Sequence, residues 1–225
     1  MKITYFGHSC FQVDVAGKCL LFDPFITPNP LAAGIDITTL KPDYIFLSHG
    51  HFDHVADAQS IARTSQATLV GCFEVMEWFA KKGLQKHQAM NIGGSFTFDF
   101  GSVTFTSAVH SSSMPDGSYG GQPGGFLVKT EEGNFYYSSD TGLTHDMKLI
   151  QAPLKFAVLC IGDCVTMGIE DALRAASWMG CQEILGVHYN TFPFIEINTS
   201  AAIETFQQAG VRLRLPSIGS SWDIA

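Results

Sequence analysis

The chain has 225 residues, 46% of them hydrophobic, with 13 Lys and Arg against 21 Asp and Glu and a formal charge of −8. That length fits one domain or two fused halves with a large core and calls for no disulfide scaffold, while the acidic balance, with no basic run longer than Lys81-Lys82, argues against a nucleic-acid partner. The start does not read as a signal peptide, no apolar run is long enough to span a bilayer, and Cys10, Cys19, Cys72, Cys160, Cys164 and Cys181 are scattered free thiols, so a cytoplasmic protein with no membrane partner is expected.

In chain order, strands are expected at residues 3–6, 10–15 and 19–22, with Ala16-Gly17-Lys18 as a turn. The alternation Phe11-Gln12-Val13-Asp14-Val15 predicts a hairpin strand with one wet face. Asp23-Pro24 closes the third strand, since proline donates no ladder hydrogen bond and restricts the residue before it. Residues 27–40, with Pro28, Pro30 and Gly34, form a loop long enough to overhang a site. Next come strands at 44–47, 68–70 and 89–92 and helices at 57–64 and 74–82, a β-α-β-α-β run that suits a parallel sheet covered by helices. The middle differs: strands at 95–100, 103–109, 125–130 and 134–138 follow one another with little helix, and the Ser-, Gly- and Pro-rich residues 111–124 are expected to close over a ligand. Alternation then returns, with helices at 143–150, 170–179 and 199–208 and strands at 156–161, 183–187 and 211–215. Strands followed by β-α units, twice over, predict an α/β protein built as a four-layer αββα sandwich, two mixed sheets with outer helices, and residues 1–225 acting as one domain.

Directly after the apolar run Tyr44-Ile45-Phe46-Leu47 stands Ser48-His49-Gly50-His51-Phe52-Asp53-His54, an H-x-H-x-D-H cluster that packing alone seldom produces. His49 and His51, two apart, share a face and offer two ligands to one metal; Asp53 and His54, further round the turn, suit a second. Three more candidates each end an apolar strand: His110, Asp140 and His188. Strand ends on one rim of a sheet are where distant residues converge.

This ordered set resembles the metallo-β-lactamase superfamily in its di-metal hydrolase form. Gly7-His8-Ser9, Asp23-Pro24-Phe25, the His49 to His54 cluster, His110-Ser111-Ser112-Ser113, Asp140-Thr141-Gly142-Leu143, Thr166-Met167-Gly168 and His188-Tyr189-Asn190 are similar to a compact family of metal-dependent hydrolases related to L-ascorbate-6-phosphate lactonase. The resemblance implies the metallo-β-lactamase fold and a binuclear site: His49, His51 and His110 on one metal, Asp53, His54 and His188 on the other, and Asp140 as the bridge. It also implies a metal-bridging hydroxide attacking an ester, lactone or phosphoester small molecule, with Asp53 orienting the water. Zinc or manganese is expected, with nickel or iron as alternatives. An iron oxidoreductase of the persulfide dioxygenase kind and a nucleic-acid-processing hydrolase are the competing functions on such a fold, and homo-oligomerisation stays open. The chain departs from its relatives at Asp163-Cys164, where many carry glycine and histidine.

Other readings stand beside these. His110 or His188 alone would be read as an ordinary interior or surface histidine, and Asp140 alone as a helix N-cap. His8 and Asn190 are candidate substrate contacts, His8 also a supporting hydrogen-bond partner. Cys164 is expected to be a small buried thiol, and Trp78, Phe79, Phe98, Phe100 and Phe105 core residues.

Overall fold

A computed structural model describes residues 1–224. The first part of the chain forms β1 (Lys2–Gly7), β2 (Cys10–Val15), β3 (Lys18–Phe22), β4 (Tyr44–Leu47), α1 (Phe52–Val55), α2 (Ala58–Ser65), β5 (Thr68–Cys72), α3 (Phe73–Lys81) and β6 (His87–Met90). The middle adds β7 (Ser95–Phe98), β8 (Gly101–Ser107), β9 (Gly124–Thr130) and β10 (Gly133–Tyr137). The last part is β11 (Leu154–Cys160), α4 (Ile169–Met179), β12 (Glu183–Val187), α5 (Thr199–Gln208), β13 (Arg212–Arg214) and β14 (Ser221–Asp223).

These strands make two seven-stranded sheets, in the orders β14-β1-β2-β3-β4-β5-β6 and β13-β12-β11-β10-β9-β8-β7. Each is mixed in the same way, with a hairpin-linked antiparallel part and a parallel part reached through helices: β3 to β6 in one sheet, β10 to β13 in the other. The expected αββα sandwich is therefore observed. Burial follows the pairing mode: in β2 the apolar residues are buried while Gln12 and Asp14 reach the wet face, whereas the apolar runs of β4 and β11, covered on both faces, are buried almost throughout.

Aromatic side chains fill the space between the sheets. Phe22 of β3 stacks on Phe11 at 4.5 Å and on Phe46 at 4.8 Å, and meets Phe126, Phe135 and Tyr137 of the opposite sheet edge-on. A separate apolar layer, including Ala172, Ala176, Ala202 and Phe206, joins the second sheet to α4 and α5. Among the described residues, no helix is long and apolar enough to cross a membrane.

Several expectations are corrected. The helix expected at 143–150 shrinks to a 3-10 segment, His145–Leu149, because the chain just before it is held elsewhere: Gly142 N–H donates to Val109 O and Thr141 O accepts from Met167 N–H. The cap there is Thr144, which leaves Asp140 free of the capping role. The strand β14 and the short helix α1 add to the expected elements. Cys164 is exposed instead of buried, since the chain leaves β11 through Gly162 into a turn in which Asp163 and Cys164 both take positive φ. Trp78 and Phe98 are only half-buried, while Phe79, Phe100 and Phe105 lie in the core. Residues 111–124, expected to close over a ligand, are anchored at several points: Met114 is buried, Ser112 Oγ accepts from Gly50 N–H and donates to Gly120 O, and Trp78 Nε1 donates to Asp116.

Because Phe22 touches rings of both sheets, Phe22→Ala leaves a cavity at the centre of the sandwich. A loss of ~3–5 kcal/mol in urea unfolding is expected; a loss under ~1 kcal/mol would show that the two sheets are held together elsewhere.

Candidate metal centre

Each chemical side chain stands just beyond the end of a strand, all on one rim of the sandwich: His8 after β1, Asp23 after β3, His49 after β4, His110 after β8, Asp140 after β10 and His188 after β12. The backbone there is contorted. Apart from Ala16 and Gln66, the non-glycine residues in positive φ are His8, Asp23, Ser139, Asp163, Cys164, His188 and Asn190, all beyond strands on this rim. Left-handed backbone at residues bearing a Cβ costs about 1–3 kcal/mol each and persists only where surrounding structure enforces it. Gly50 serves a different need. A Cβ there would strike Met114 Sδ and Ser113 O, so only glycine lets His49 and His51 sit under the 111–124 loop.

Three groups of donors result. His49, His51 and His110 bring ring nitrogens within 4.8 Å of one another; so do the donors of His8, Asp53, His54 and His188; and so do those of His49, His54 and Asp140. Asp140 lies between the first two groups, its Oδ2 2.9 Å from His188 Nε2, 3.2 Å from His54 Nε2 and 3.7 Å from His110 Nε2. The seven residues expected as ligands are therefore brought together. His8 joins them: its Nε2 is 3.0 Å from Asp53 Oδ2 and its Nδ1 3.0 Å from Thr191 Oγ1. Asn190 commits its side-chain oxygen to the backbone, accepting from Ile197 N–H at 2.8 Å.

In the sequence Asp23 stands out as the end of a strand and as part of the Asp23-Pro24-Phe25 resemblance, with no role of its own, yet its buried carboxylate organises the centre. It accepts hydrogen bonds from Ser48 N–H (2.8 Å), Ser48 Oγ (2.5 Å), His54 Nδ1 (2.8 Å) and Tyr137 Oη (2.6 Å). Ser48 Oγ, 3.0 Å from His49 Nδ1, extends that order to a second imidazole. The network assigns N–H to the Nδ1 of both rings and so turns their Nε2 atoms toward the centre. A carboxylate behind a histidine is the usual arrangement that orients a metal ligand and raises its basicity. The available sequence signal was a buried-type Asp between an apolar strand and a proline, which does not reveal its partners.

Electrostatics match a cation. Burial lowers the pKa of His49, His51 and His110, and a positively charged His54 nearby lowers them further, so these rings are neutral lone-pair donors. Burial alone would raise the pKa of Asp140 and Asp53, but His188 and His54 outweigh it for Asp140, and His54 and His8 for Asp53, holding both well below the usual carboxylate range. Burial would depress His54, but Asp140, Asp23 and Asp53 prevail and hold it well above an ordinary imidazole. Burial pushes His8 down to about 4. The buried His54 Nε2 meets the Asp140 carboxylate at 3.2 Å, and the other oxygen of that carboxylate, Asp140 Oδ1, has no hydrogen-bond partner among the described residues. Imidazole and carboxylate donors that converge in this way suit divalent metal ions.

Comparison with known proteins agrees. The family described as "Beta-lactamase superfamily domain" matches residues 19–189. A metal-dependent hydrolase of Flavobacterium johnsoniae is 49% identical over the whole of both chains, and one of Methylacidiphilum infernorum is 47% identical over 98% of this chain and 99% of its own. A metallo hydrolase of the hyperthermophilic archaeon Ignicoccus hospitalis superposes with a TM-score of 0.88 at 32% identity, covering 100% of this chain and 99% of that one.

Two outcomes follow from this geometry. Asp23→Asn is expected to weaken metal binding ~10–100-fold while the fold is kept, as read by titration against a chelating indicator; unchanged affinity would mean that His54 is oriented without Asp23. His54 is protonated at pH 7 when no ion is bound, because its pKa is raised, whereas His49, His51 and His110 are already neutral. Ion binding at pH 7 should therefore release protons, that of His54 among them; calorimetry in two buffers of different ionisation enthalpy measures it, and zero release would contradict the assignment.

Proposed function

The chain belongs to the beta-lactamase superfamily as one of its metal-dependent hydrolases, and from that premise we propose that it is a binuclear enzyme acting as one domain on a small ester, lactone or phosphoester. In this reading His49, His51 and His110 hold one cation, Asp53, His54 and His188 hold the other, and Asp140 is shared. The observation that carries it is the position of Asp140, whose Oδ2 lies within 4 Å of nitrogens from both donor groups. Two divalent ions, zinc or manganese first and nickel or iron as alternatives, would supply Lewis acidity to the scissile oxygen and acidify a water toward neutral pH.

The chain's own groups do the positioning. Asp53, half-buried and kept ionised by His54 and His8, accepts a hydrogen from the attacking water and so aligns it. His8 spends both ring nitrogens inside the protein, on Thr191 and on Asp53, so it acts through Asp53 and not on substrate directly. Asp23, Ser48 and Tyr137 keep the His54 and His49 rings from turning. The free thiols support a cytoplasmic setting.

Asp140→Ala and His51→Ala are each expected to lose bound metal and to lower turnover by more than ~100-fold. Elemental analysis is paired with a panel of esters, lactones and phosphodiesters on stripped protein reloaded with each ion. Full turnover in protein without metal would sink the proposal, and oxygen uptake with a persulfide would mark the iron oxidoreductase instead.

A further inference from the structure

Four phenylalanines form a continuous run from the buried side of the centre to solvent. Phe25, only 2% exposed, meets the His8 ring at 5.4 Å, Phe52 at 5.9 Å and Phe192 at 6.3 Å. Phe192 also meets the His8 ring at 5.4 Å and stacks on Phe194 at 5.6 Å, with ring planes 9° apart. The two outer members, Phe52 and Phe194, are 53% and 57% exposed. Their elements explain why they lie together: Phe25 follows Asp23-Pro24, Phe52 sits between His51 and Asp53, and Phe192 and Phe194 follow His188. An apolar surface built into the same segments as the proposed ligands is not a core feature that happens to be uncovered, because half of it faces water.

No Lys or Arg frames the centre. The segments that frame it, residues 7–9, 23–40, 48–57, 109–124, 139–145, 162–168 and 188–198, contain no Lys or Arg, although the chain has 13. Next to Phe194 a cleft of about 740 Å³ is lined by Gly162, Asp163, Cys164, Phe194 and Glu196, with Glu170 and Asp171 at the start of α4. A negative group carried away from the scissile bond would find no cation there and would face several carboxylates.

We infer that the substrate places an uncharged aromatic group on the surface of Phe52, Phe192 and Phe194, backed by the buried Phe25, so that uncharged aryl esters or lactones, and not substrates with a second anionic group, are the class turned over. This rests on the hydrolase reading above and narrows it. Offset and edge-on ring contacts recognise such a group without any charge partner.

The metal-loaded protein is tested on 4-acetoxybenzamide and 4-acetoxybenzoate, which differ by one negative charge on the ring and release acetate and a phenol on hydrolysis. After correction for their rates with hydroxide, kcat/KM is expected to favour the neutral ester by at least ~10-fold, and Phe194→Ala and Phe52→Ala should each lower its kcat/KM ~3–10-fold, mostly through KM. Both side chains are more than half exposed, and elemental analysis of each variant separates a lost ring contact from lost metal. In parallel, saturation-transfer NMR on metal-stripped protein reads binding without turnover. Transfer from protein aromatic protons to benzamide should exceed that to benzoate and fall in both variants. Equal rates and equal binding for the charged and neutral compounds, or no effect of either Phe variant, overturns the inference. Failure to hydrolyse either ester would count against the hydrolase reading, and the benzamide measurement would still decide the aromatic surface.

Discussion

The four hydrogen bonds accepted by Asp23 are the constraint on which the rest of the centre depends. This carboxylate belongs to the first sheet, is wholly buried, and gathers Ser48 and His54 from the segment after β4 and Tyr137 from the opposite sheet. A carboxylate moved out of water without partners would cost several kcal/mol, and each charge-assisted hydrogen bond offsets part of that. Losing any one partner leaves charge unanswered in a dry interior. The arrangement is therefore cooperative, fixing the seam between the sheets and the orientation of two imidazoles together.

Geometry at the strand ends shows how the fold and the chemistry share a cost. A parallel strand that ended in an ordinary turn would carry its next side chain away from the rim. Positive φ at Ser139 and His188 bends the chain as it leaves the sheet, and the ordered neighbours supply the means: Ser138 N–H donates to Val158 O, and His188 N–H to His8 O. That second bond joins the loop after a strand of the second sheet to the turn after the first strand of the other. Strain at such places is tolerated because the aromatic core on one side and the ligand-type residues on the other leave the backbone no alternative.

Much of this was legible in the chain itself. Alternation located β2, and unbroken apolar runs located β4, β11 and β12, because pleat and burial leave a period in the residues. The close spacing of His49, His51, Asp53 and His54 marked a candidate metal site, and the apolar strand before each of His110, Asp140 and His188 showed how they arrive. What was not legible depends on contacts far apart in sequence. Asp23 and Tyr137 are 114 positions apart, and nothing local to either reports their 2.6 Å hydrogen bond. The short β14 has three residues and exists only because β1 offers it an edge. The helix expected at 143–150 had the right apolar spacing but lost its first turn to backbone bonds that hold Thr141 and Gly142 beside the centre. Cys164 reads as an interior thiol by residue type, and only the paired left-handed turn at Asp163-Cys164 brings it out.

One consequence lies in how the donors are divided. His49, His51, Asp53 and His54 come from segments of the first sheet, and His110, Asp140 and His188 from segments of the second. An ion held by both sets is a fastener across the sandwich. Its binding energy then adds to the cohesion of the two layers, by about 2.7 kcal/mol for one site when free ion is a hundredfold above its dissociation constant. Filling the centre would thus tighten the seam between the layers as well as arm it for chemistry, so that the same ion would act as ligand and as clamp.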